Sequence, residues 1–170
     1  MTLKKLFFLL LSLGALYGAE YDYADDLTPK EAVALIQKEH ALLVDVRDPM
    51  EYLYASHAVG ALNIPVFFVR PTLPPLKQRQ LLADKERQNQ KAYHQKKSYK
   101  PAMTPNKRFV EEVKKALNGH MERPVIVICR SGERSAFAAD KLTKNGFENV
   151  YNLDGGMLAW EKDGLPAGGK

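Results

Sequence analysis

Short apolar runs alternate with amphipathic segments along most of this chain. The clearest run covers residues 125–128 (Val-Ile-Val-Ile), and a second covers residues 42–46 (Leu-Leu-Val-Asp-Val). Continuous apolar runs of this length are typical of strands that are buried on both faces of a sheet. Two shorter strands are predicted at residues 61–64 and 150–152.

Start and stop signals place helices between these strands. Thr28-Pro29-Lys30-Glu31 forms a capping box with proline at the first helical position, and Asp48-Pro49-Met50-Glu51 is a second start signal. Further helices are predicted over residues 109–117, 134–144 and 157–162. Because helices separate the strands, the sequence predicts an α/β fold, a parallel sheet with helices on both faces.

An insert at about residues 67–107 interrupts this alternation. Prolines break its first part, and residues 78–100 consist mainly of Gln, Lys, Arg, Asn and Tyr. Leu76, Leu81 and Leu82 predict a short amphipathic helix, without a second core. Two interpretations stay open, a solvated helical or loop excursion, and a docking surface for an acidic partner or an anionic membrane.

The first 19 residues are typical of a secretory signal peptide. Lys4 and Lys5 precede an almost unbroken apolar run at residues 6–13, and small residues lead up to Ala19. The apolar run is too short to span a bilayer comfortably. We therefore expect cleavage after Ala19 and a bacterial periplasmic or secreted mature chain, with an uncleaved N-terminal anchor as the alternative.

Charge is distributed unevenly over the expected mature chain, residues 20–170. Residues 70–115 contain 13 Lys/Arg and 4 Asp/Glu, a net charge of +9. The rest of the mature chain contains 10 Lys/Arg and 16 Asp/Glu, a net charge of −6. A basic insert is thus attached to an acidic body. Export and the absence of a recognisable binding motif argue against nucleic acid as a partner.

The composition limits the sulfur and metal chemistry. Of the 170 residues, 45% are hydrophobic, so one domain can bury a core without covalent cross-links. The single cysteine, Cys129, excludes an intramolecular disulfide and a cysteine-based zinc cluster. The four histidines show no ligand spacing, so no metal is expected.

Cys129 directly follows the strand predicted at residues 125–128, and a helix is predicted a few residues later. In parallel α/β sheets, ligands bind beyond the carboxyl ends of the strands. The connecting run is Cys129-Arg130-Ser131-Gly132-Glu133-Arg134-Ser135, hereafter the Cys129 loop. Its glycine lets backbone N–H groups point inward as an anion-binding nest, and the helix N-terminus and two arginines add positive charge. These features favour a reactive thiolate over an inert buried cysteine, and they predict binding of a small oxyanion.

The chain resembles the single-domain rhodaneses, a family of sulfurtransferases. The family's active loop is matched by residues 129–134. Its other signatures are matched by residues 43–47, 51–52 and 57–65 upstream, and by residues 146–147, 149–151, 153–157 and 159–160 downstream. There are two departures, because Ser56 stands where the family usually has glycine, and the long insert is foreign to the compact family pattern. The resemblance implies one rhodanese domain over residues 20–170, with a five-stranded parallel sheet.

This resemblance also implies a function. The chain is expected to be an exported sulfurtransferase that moves a sulfane sulfur from a donor such as thiosulfate to a thiophilic acceptor, through a persulfide on Cys129. Arg130 and Arg134 are expected to hold the anionic donor, although Arg134 pairing with an acid is the alternative. The expected partners are a small anionic sulfur donor and a thiol or protein acceptor, with membrane contact only through an uncleaved N-terminus or the insert. No metal or organic cofactor is implied.

The resemblance assigns supporting roles to other residues. The backbone of Ser131, Gly132, Glu133 and Ser135 is expected to stabilise the charged outer sulfur, as in an oxyanion hole. Structural roles are expected for a larger group: a buried polar network of Asp45, Arg47 and Glu51, a hydrogen-bonded turn residue at His57, and a core residue at Trp160.

Two rival functions remain. Cysteine phosphatases that share this fold have a loop one residue longer between cysteine and arginine, whereas four residues separate Cys129 from Arg134 here. Ile128 also stands where phosphatases usually have histidine. The second rival is a non-catalytic persulfide carrier or interaction module that docks through the basic insert.

Overall fold

The structure, a computed structural model, describes residues 21–88 and 101–169. The signal peptide predicted at residues 1–19 and the middle of the insert lie outside these ranges. In chain order the elements are β1 (Asp25–Leu27), α1 (Pro29–Glu39), β2 (Leu42–Asp45), α2 (Pro49–Tyr54), β3 (His57–Ala58), β4 (Leu62–Asn63), β5 (Phe67–Pro71), α3 (Leu76–Gln88), β6 (Pro101–Pro105), α4 (Phe109–Ala116), β7 (Val125–Ile128), α5 (Glu133–Thr143), β8 (Val150–Leu153), α6 (Gly156–Lys162) and β9 (Ala167–Gly168). None of the helices in these ranges is long and apolar enough to cross a bilayer.

Five strands form one parallel sheet in the order β1-β8-β7-β2-β4. The prediction of a five-stranded parallel sheet is therefore confirmed. Val127 of β7 is paired with Val44 on one side and with Asn152 on the other, so β7 is the central strand. Strand β1 was not predicted, because residues 25–27 (Asp-Asp-Leu) carry no apolar pattern.

The sheet is covered on both faces, as the apolar runs predict. Val125 and Val127 belong to one core cluster together with α4 and α5, whereas Ile126 and Ile128 belong to a second cluster with α1 and α6. Successive strand residues point to opposite faces. A run of four apolar residues therefore supplies two side chains to each core layer.

The predicted helix starts are present. The Thr28 hydroxyl accepts the Glu31 N–H at 3.4 Å, and the Glu31 carboxylate accepts the Thr28 N–H at 2.8 Å, which completes the capping box. Asp48 caps α2 by accepting the Met50 N–H at 2.9 Å. Both caps satisfy backbone donors that a helix leaves free at its N-terminus.

The insert contains an antiparallel hairpin of β5 and β6 that the prolines concealed in the sequence. The hairpin is attached to the body, because the Val69 N–H donates to Asp48 Oδ2 at 2.8 Å and the ring of Phe67 stacks on Phe137 with 5.3 Å between centroids. Between the strands, α3 has no buried residue. The insert therefore has a packed base and a solvated helix.

Candidate active site

Cys129 lies at the carboxyl end of the central strand β7 and is 1% exposed. Its Sγ accepts hydrogen bonds from the Gly132 N–H at 3.2 Å and from the Ser135 hydroxyl at 3.3 Å. Hydrogen bonds donated to the sulfur stabilise negative charge on it. The Cys129 loop thus supplies one backbone donor and one side-chain donor to the sulfur.

Gly132 allows the loop to turn into α5. It is the N-cap of that helix and has φ +101°, a region that favours glycine. The first N–H groups of the 11-residue helix α5 follow immediately, and they carry the partial positive charge of the helix N-terminus. The Gly132 N–H is the one backbone donor of the described loop that contacts Sγ, whereas the predicted nest needs several successive N–H groups.

Ser135 has a side-chain contact that the sequence analysis missed, since only its backbone was assigned a role. The residue is completely buried, and its Oγ lies 3.3 Å from Cys129 Sγ and 3.0 Å from the Gly132 carbonyl oxygen. A hydroxyl carries one proton, so Ser135 donates to one of these acceptors at a time. The sequence does carry a signal for this contact, because Ser135 is a hydroxyl residue in the first turn of the helix that follows the nucleophile.

Helix α6 holds the Cys129 loop through two backbone hydrogen bonds. The Met157 N–H donates to the Cys129 carbonyl at 2.8 Å, and the Leu158 N–H donates to the Arg130 carbonyl at 3.1 Å. Gly156 makes this approach possible, because a Cβ there would lie 2.5 Å from Cys129 O and 2.7 Å from Arg130 C. The sequence analysis attached no role to Gly156.

The two arginines of the loop have different surroundings. The Arg130 side chain is exposed and makes no hydrogen bond or ion pair with any described residue. The Arg134 guanidinium instead donates to both oxygens of Glu51, at 2.6 and 2.9 Å. Of the two roles left open for Arg134, this contact favours pairing with an acid.

The polar network predicted for Asp45, Arg47 and Glu51 has Asp45 and Arg47 as a hydrogen-bonded pair, while Glu51 is coupled to Arg47 through its charge. Arg47 and Asp45 form the expected buried pair, with 2.6 Å between Arg47 Nη2 and Asp45 Oδ2. The same Nη2 also donates to the Ser56 carbonyl. Glu51 makes its hydrogen bonds to Arg134 of α5, and the charge of Arg47 acts on it electrostatically.

Opposing effects act on the ionisation of the Glu51–Arg134 pair. Burial by itself raises the pKa of Glu51, but the hydrogen bonds and charge of Arg134, together with the charge of Arg47, outweigh it and lower that pKa. The hydrogen bond to Glu51 raises the pKa of Arg134 against the opposing effect of burial. Both side chains are consequently charged at neutral pH.

His57 and Trp160 have the structural surroundings that the sequence predicts. The His57 ring stacks on Tyr52 with 3.9 Å between centroids, and its Nδ1 lies 3.0 Å from the Tyr52 carbonyl oxygen. Trp160 is 3% exposed and donates from Nε1 to the Pro166 carbonyl at 3.0 Å. In residues 21–88 and 101–169, no group of three His, Cys, Asp or Glu side chains is arranged to hold a metal ion.

Known proteins share this sequence pattern and fold. The Rhodanese-like domain family matches residues 28–163. The Thiosulfate sulfurtransferase GlpE of Actinobacillus pleuropneumoniae serotype 3 is 32% identical over 141 residues, 83% of this chain and 90% of that protein. The protein of the same name from Vibrio cholerae serotype O1 (strain M66-2) is 33% identical over 135 residues, 79% of this chain and 86% of that one. The crystal structure of Rv0390 from M. tuberculosis has a TM-score of 0.58 at 23% identity, and covers 88% of this chain and 100% of its own.

Proposed function

The chain belongs to the family of Rhodanese-like domains, and we propose that it is a sulfurtransferase that carries sulfane sulfur as a persulfide on Cys129. The observation that carries this proposal is the position of Sγ at the end of β7, with the Gly132 N–H and the Ser135 hydroxyl both directed at it. The names of the relatives support thiosulfate as the donor and do not favour a non-enzymatic carrier.

In the first half-reaction the Cys129 thiolate attacks the outer sulfur of thiosulfate. A new S–S bond forms to Sγ, the S–S bond of thiosulfate breaks, and its electron pair leaves with sulfite. Arg130 binds the sulfonate end of the donor, because its guanidinium is exposed and has no protein partner among the described residues. The Gly132 N–H, which contacts Sγ, stabilises the charge on the bound persulfide.

In the second half-reaction an acceptor nucleophile takes the outer sulfur. Cyanide, the acceptor of choice for an assay, forms thiocyanate, and the electron pair of the broken S–S bond returns to Sγ as a thiolate. The Gly132 N–H and the Ser135 hydroxyl stabilise that thiolate as a leaving group. The covalent intermediate thus divides the transfer into two displacements at sulfur.

Arg134 acts as a positioning residue in this scheme. Its two hydrogen bonds to Glu51 connect α5 to α2, and Arg134 is itself part of the Cys129 loop. Because the Glu51 carboxylate compensates its charge, Arg134 contributes less than Arg130 to binding of the donor anion.

We also propose that the mature domain is exported after removal of residues 1–19. The positive start, the apolar run and the small residues up to Ala19 support this proposal. N-terminal sequencing of the protein recovered from the periplasm or the medium is the test, and a mature chain that starts at Glu20 is the expected result.

Intact mass spectrometry tests the persulfide directly. After thiosulfate treatment the protein is expected to gain one sulfur atom, and cyanide is expected to remove it as thiocyanate. Cys129→Ser is the matched control, since it replaces only the sulfur and should abolish both the mass gain and the turnover. Sulfur loading or thiocyanate production by the folded Cys129→Ser variant would disprove the mechanism.

A further inference from the structure

The β5–β6 hairpin of the insert contacts both helices that hold the Cys129 loop. Helix α5 continues the loop directly and carries Ser135, whose hydroxyl contacts Sγ. Helix α2 holds the loop from the side, through the two hydrogen bonds between Glu51 and Arg134. A contact from the hairpin to either helix therefore bears on the position of the loop.

Asp48 joins the hairpin to the start of α2. Its carboxylate is 7% exposed and forms no ion pair with the described residues. Its Oδ1 accepts the Met50 N–H at 2.9 Å, and its Oδ2 accepts the Val69 N–H of β5 at 2.8 Å. A buried carboxylate without a cation depends on such hydrogen bonds. One side chain thus fixes β5 to the first turn of α2, the turn that carries Glu51.

A pair of aromatic rings joins the hairpin to α5. The ring of Phe67 on β5 stacks on that of Phe137 on α5, with 5.3 Å between centroids and 26° between planes. Phe67 also packs against the core cluster to which α4 and α5 contribute. Phe137 comes three residues after Arg134, so their side chains are neighbours on the helix surface. The stack thus holds α5 within one turn of its hydrogen bonds to Glu51.

The hairpin is itself fixed at its base. Asn106, which directly follows β6, is buried, and its N–H donates to the Val66 carbonyl at 3.0 Å. Its Nδ2 donates to the Pro65 carbonyl at 2.9 Å and to Glu112 Oε2 of α4 at 3.1 Å. Both strands are therefore anchored where they leave and re-enter the body. A hairpin with an anchored base can hold other elements in place, whereas a loose loop cannot.

We propose that this hairpin positions the Cys129 loop for sulfur transfer, with Asp48 and Phe67 as the positioning residues. The inference rests on the proposed sulfurtransferase function and gives the insert a role in it. Through these two residues the hairpin sets both sides of the contact between α2 and α5. Misplacement of α5 moves the donors at Gly132 and Ser135 relative to Sγ. Arg130, the residue proposed to bind the donor, forms no hydrogen bond or ion pair with the described part of the hairpin.

Two adjacent phenylalanines on β5 test the inference kinetically. Phe67→Leu removes the ring that stacks on α5, whereas Phe68→Leu is the matched control, because Phe68 is exposed and points to the opposite face of the strand. In thiosulfate:cyanide transfer, Phe67→Leu is expected to lower kcat about three- to tenfold, less than the roughly 100-fold loss that a 1 Å misplacement can cause, and to leave KM for thiosulfate unchanged. Phe68→Leu should change neither constant. Phe67→Tyr keeps the ring and should retain the wild-type kcat.

Two further variants test the same positioning through other atoms. Asp48→Asn replaces one acceptor oxygen with an NH₂ group, which cannot accept the second N–H, so kcat should again fall while KM stays unchanged. Asp163→Asn, an exposed acid far along the chain on the turn after α6, is its control and should have no effect. Phe137→Leu removes the same stack from the more exposed ring, so it supplies the kinetic test if Phe67→Leu does not fold.

Hydrogen exchange tests the positioning without relying on turnover. In Phe67→Leu and Phe137→Leu, the backbone amides of residues 130–138 should exchange faster than in the wild type, whereas those of α1, on the opposite face of the sheet, should not. Equal increases in both segments would indicate a general loss of stability and would overturn the inference, as would kinetics of Phe67→Leu that match those of Phe68→Leu. If the wild type transfers sulfur to cyanide while these results are negative, only the role of the hairpin is wrong. Absence of transfer by the wild type would instead refute the proposed function, and hydrogen exchange would still decide the role of the hairpin.

Discussion

Gly156 is the point at which α6 meets the Cys129 loop, so Gly156→Ala perturbs the site without touching a reacting group. A Cβ at this position would lie 2.5 Å from Cys129 O and 2.8 Å from Arg130 O. Both contacts are with backbone atoms, which cannot rotate away as a side chain can. The loop or the helix must therefore move, and the hydrogen bonds from Met157 and Leu158 to these carbonyls must lengthen.

The cost of this substitution has two parts. Gly156 has φ +56°, and an L residue in the left-handed region costs about 1–2 kcal/mol. Overpacking of a tight contact costs about 1–3 kcal/mol more. Together they predict a loss of about 2–5 kcal/mol in the free energy of unfolding, which lowers Tm by roughly 5–15 °C in a domain of this size.

Gly164→Ala separates the cost of backbone strain from the cost of overpacking. Gly164 has φ +69°, and a Cβ there would meet no atom within 4 Å, so this variant carries the backbone strain alone. Thermal unfolding followed by circular dichroism should show the larger Tm loss for Gly156→Ala. Its kcat/KM for thiosulfate:cyanide transfer should also fall by about tenfold or more, because misplacement of a nucleophile by 1 Å can cost about 100-fold. Equal Tm values for the two variants, with wild-type kinetics for Gly156→Ala, would refute the argument.

Three further predictions concern charge and the insert. Arg130→Ala should raise KM for thiosulfate with little change in kcat, whereas the control Arg87→Ala on α3 should leave both constants unchanged. An unchanged KM with a reduced kcat would instead show that Arg130 acts in the transition state. Glu51→Gln should lower Tm at neutral pH. The difference in Tm between this variant and the wild type should shrink as pH falls below about 4.5, because a carboxylate with a lowered pKa stabilises the fold only while it is ionised. A difference in Tm that does not depend on pH would contradict this. Deletion of residues 76–100 with a short Gly/Ser bridge should retain the fold and basal transfer, since α3 has no buried residue and loop closure changes by only about 0.6 kcal/mol per doubling of length. A collapse of Tm or kcat would show that residues 76–100 pack on the core.

The sequence predicted the elements that carry strong local signals. Val125–Ile128 and Leu42–Asp45 are continuous apolar runs, and α1 and α2 begin at cap residues, so local physics specifies each of them. Strand β1 and the β5–β6 hairpin were missed for the opposite reason. Asp25–Leu27 forms a strand only because β8 offers a free edge, and the hairpin forms despite prolines at the ends of its strands.

Within the site, too, features with a local sequence signal were predicted and features that depend on distant residues were not. The nucleophile and its loop are contiguous in sequence, so glycine, arginine and the following helix could be interpreted together. Glu51 is 83 residues away from Arg134, and no local pattern shows that the fold brings the two side chains together. Gly156 likewise matters only because α6 approaches the carbonyls of another segment.

The different surroundings of the two loop arginines have a consequence for the chemistry. Glu51 compensates the charge of Arg134, whose guanidinium also interacts electrostatically with Cys129, whereas Arg130 is exposed and screened by solvent. In the proposed mechanism, a strongly cationic site would bind thiosulfate tightly but would also retain sulfite, the anionic product of the first half-reaction. In the proposed mechanism, a backbone donor such as the Gly132 N–H stabilises charge on the sulfur in both half-reactions without holding the departing anion. Pairing of Glu51 with Arg134 would leave more of the electrostatic stabilisation at the sulfur to this backbone donor.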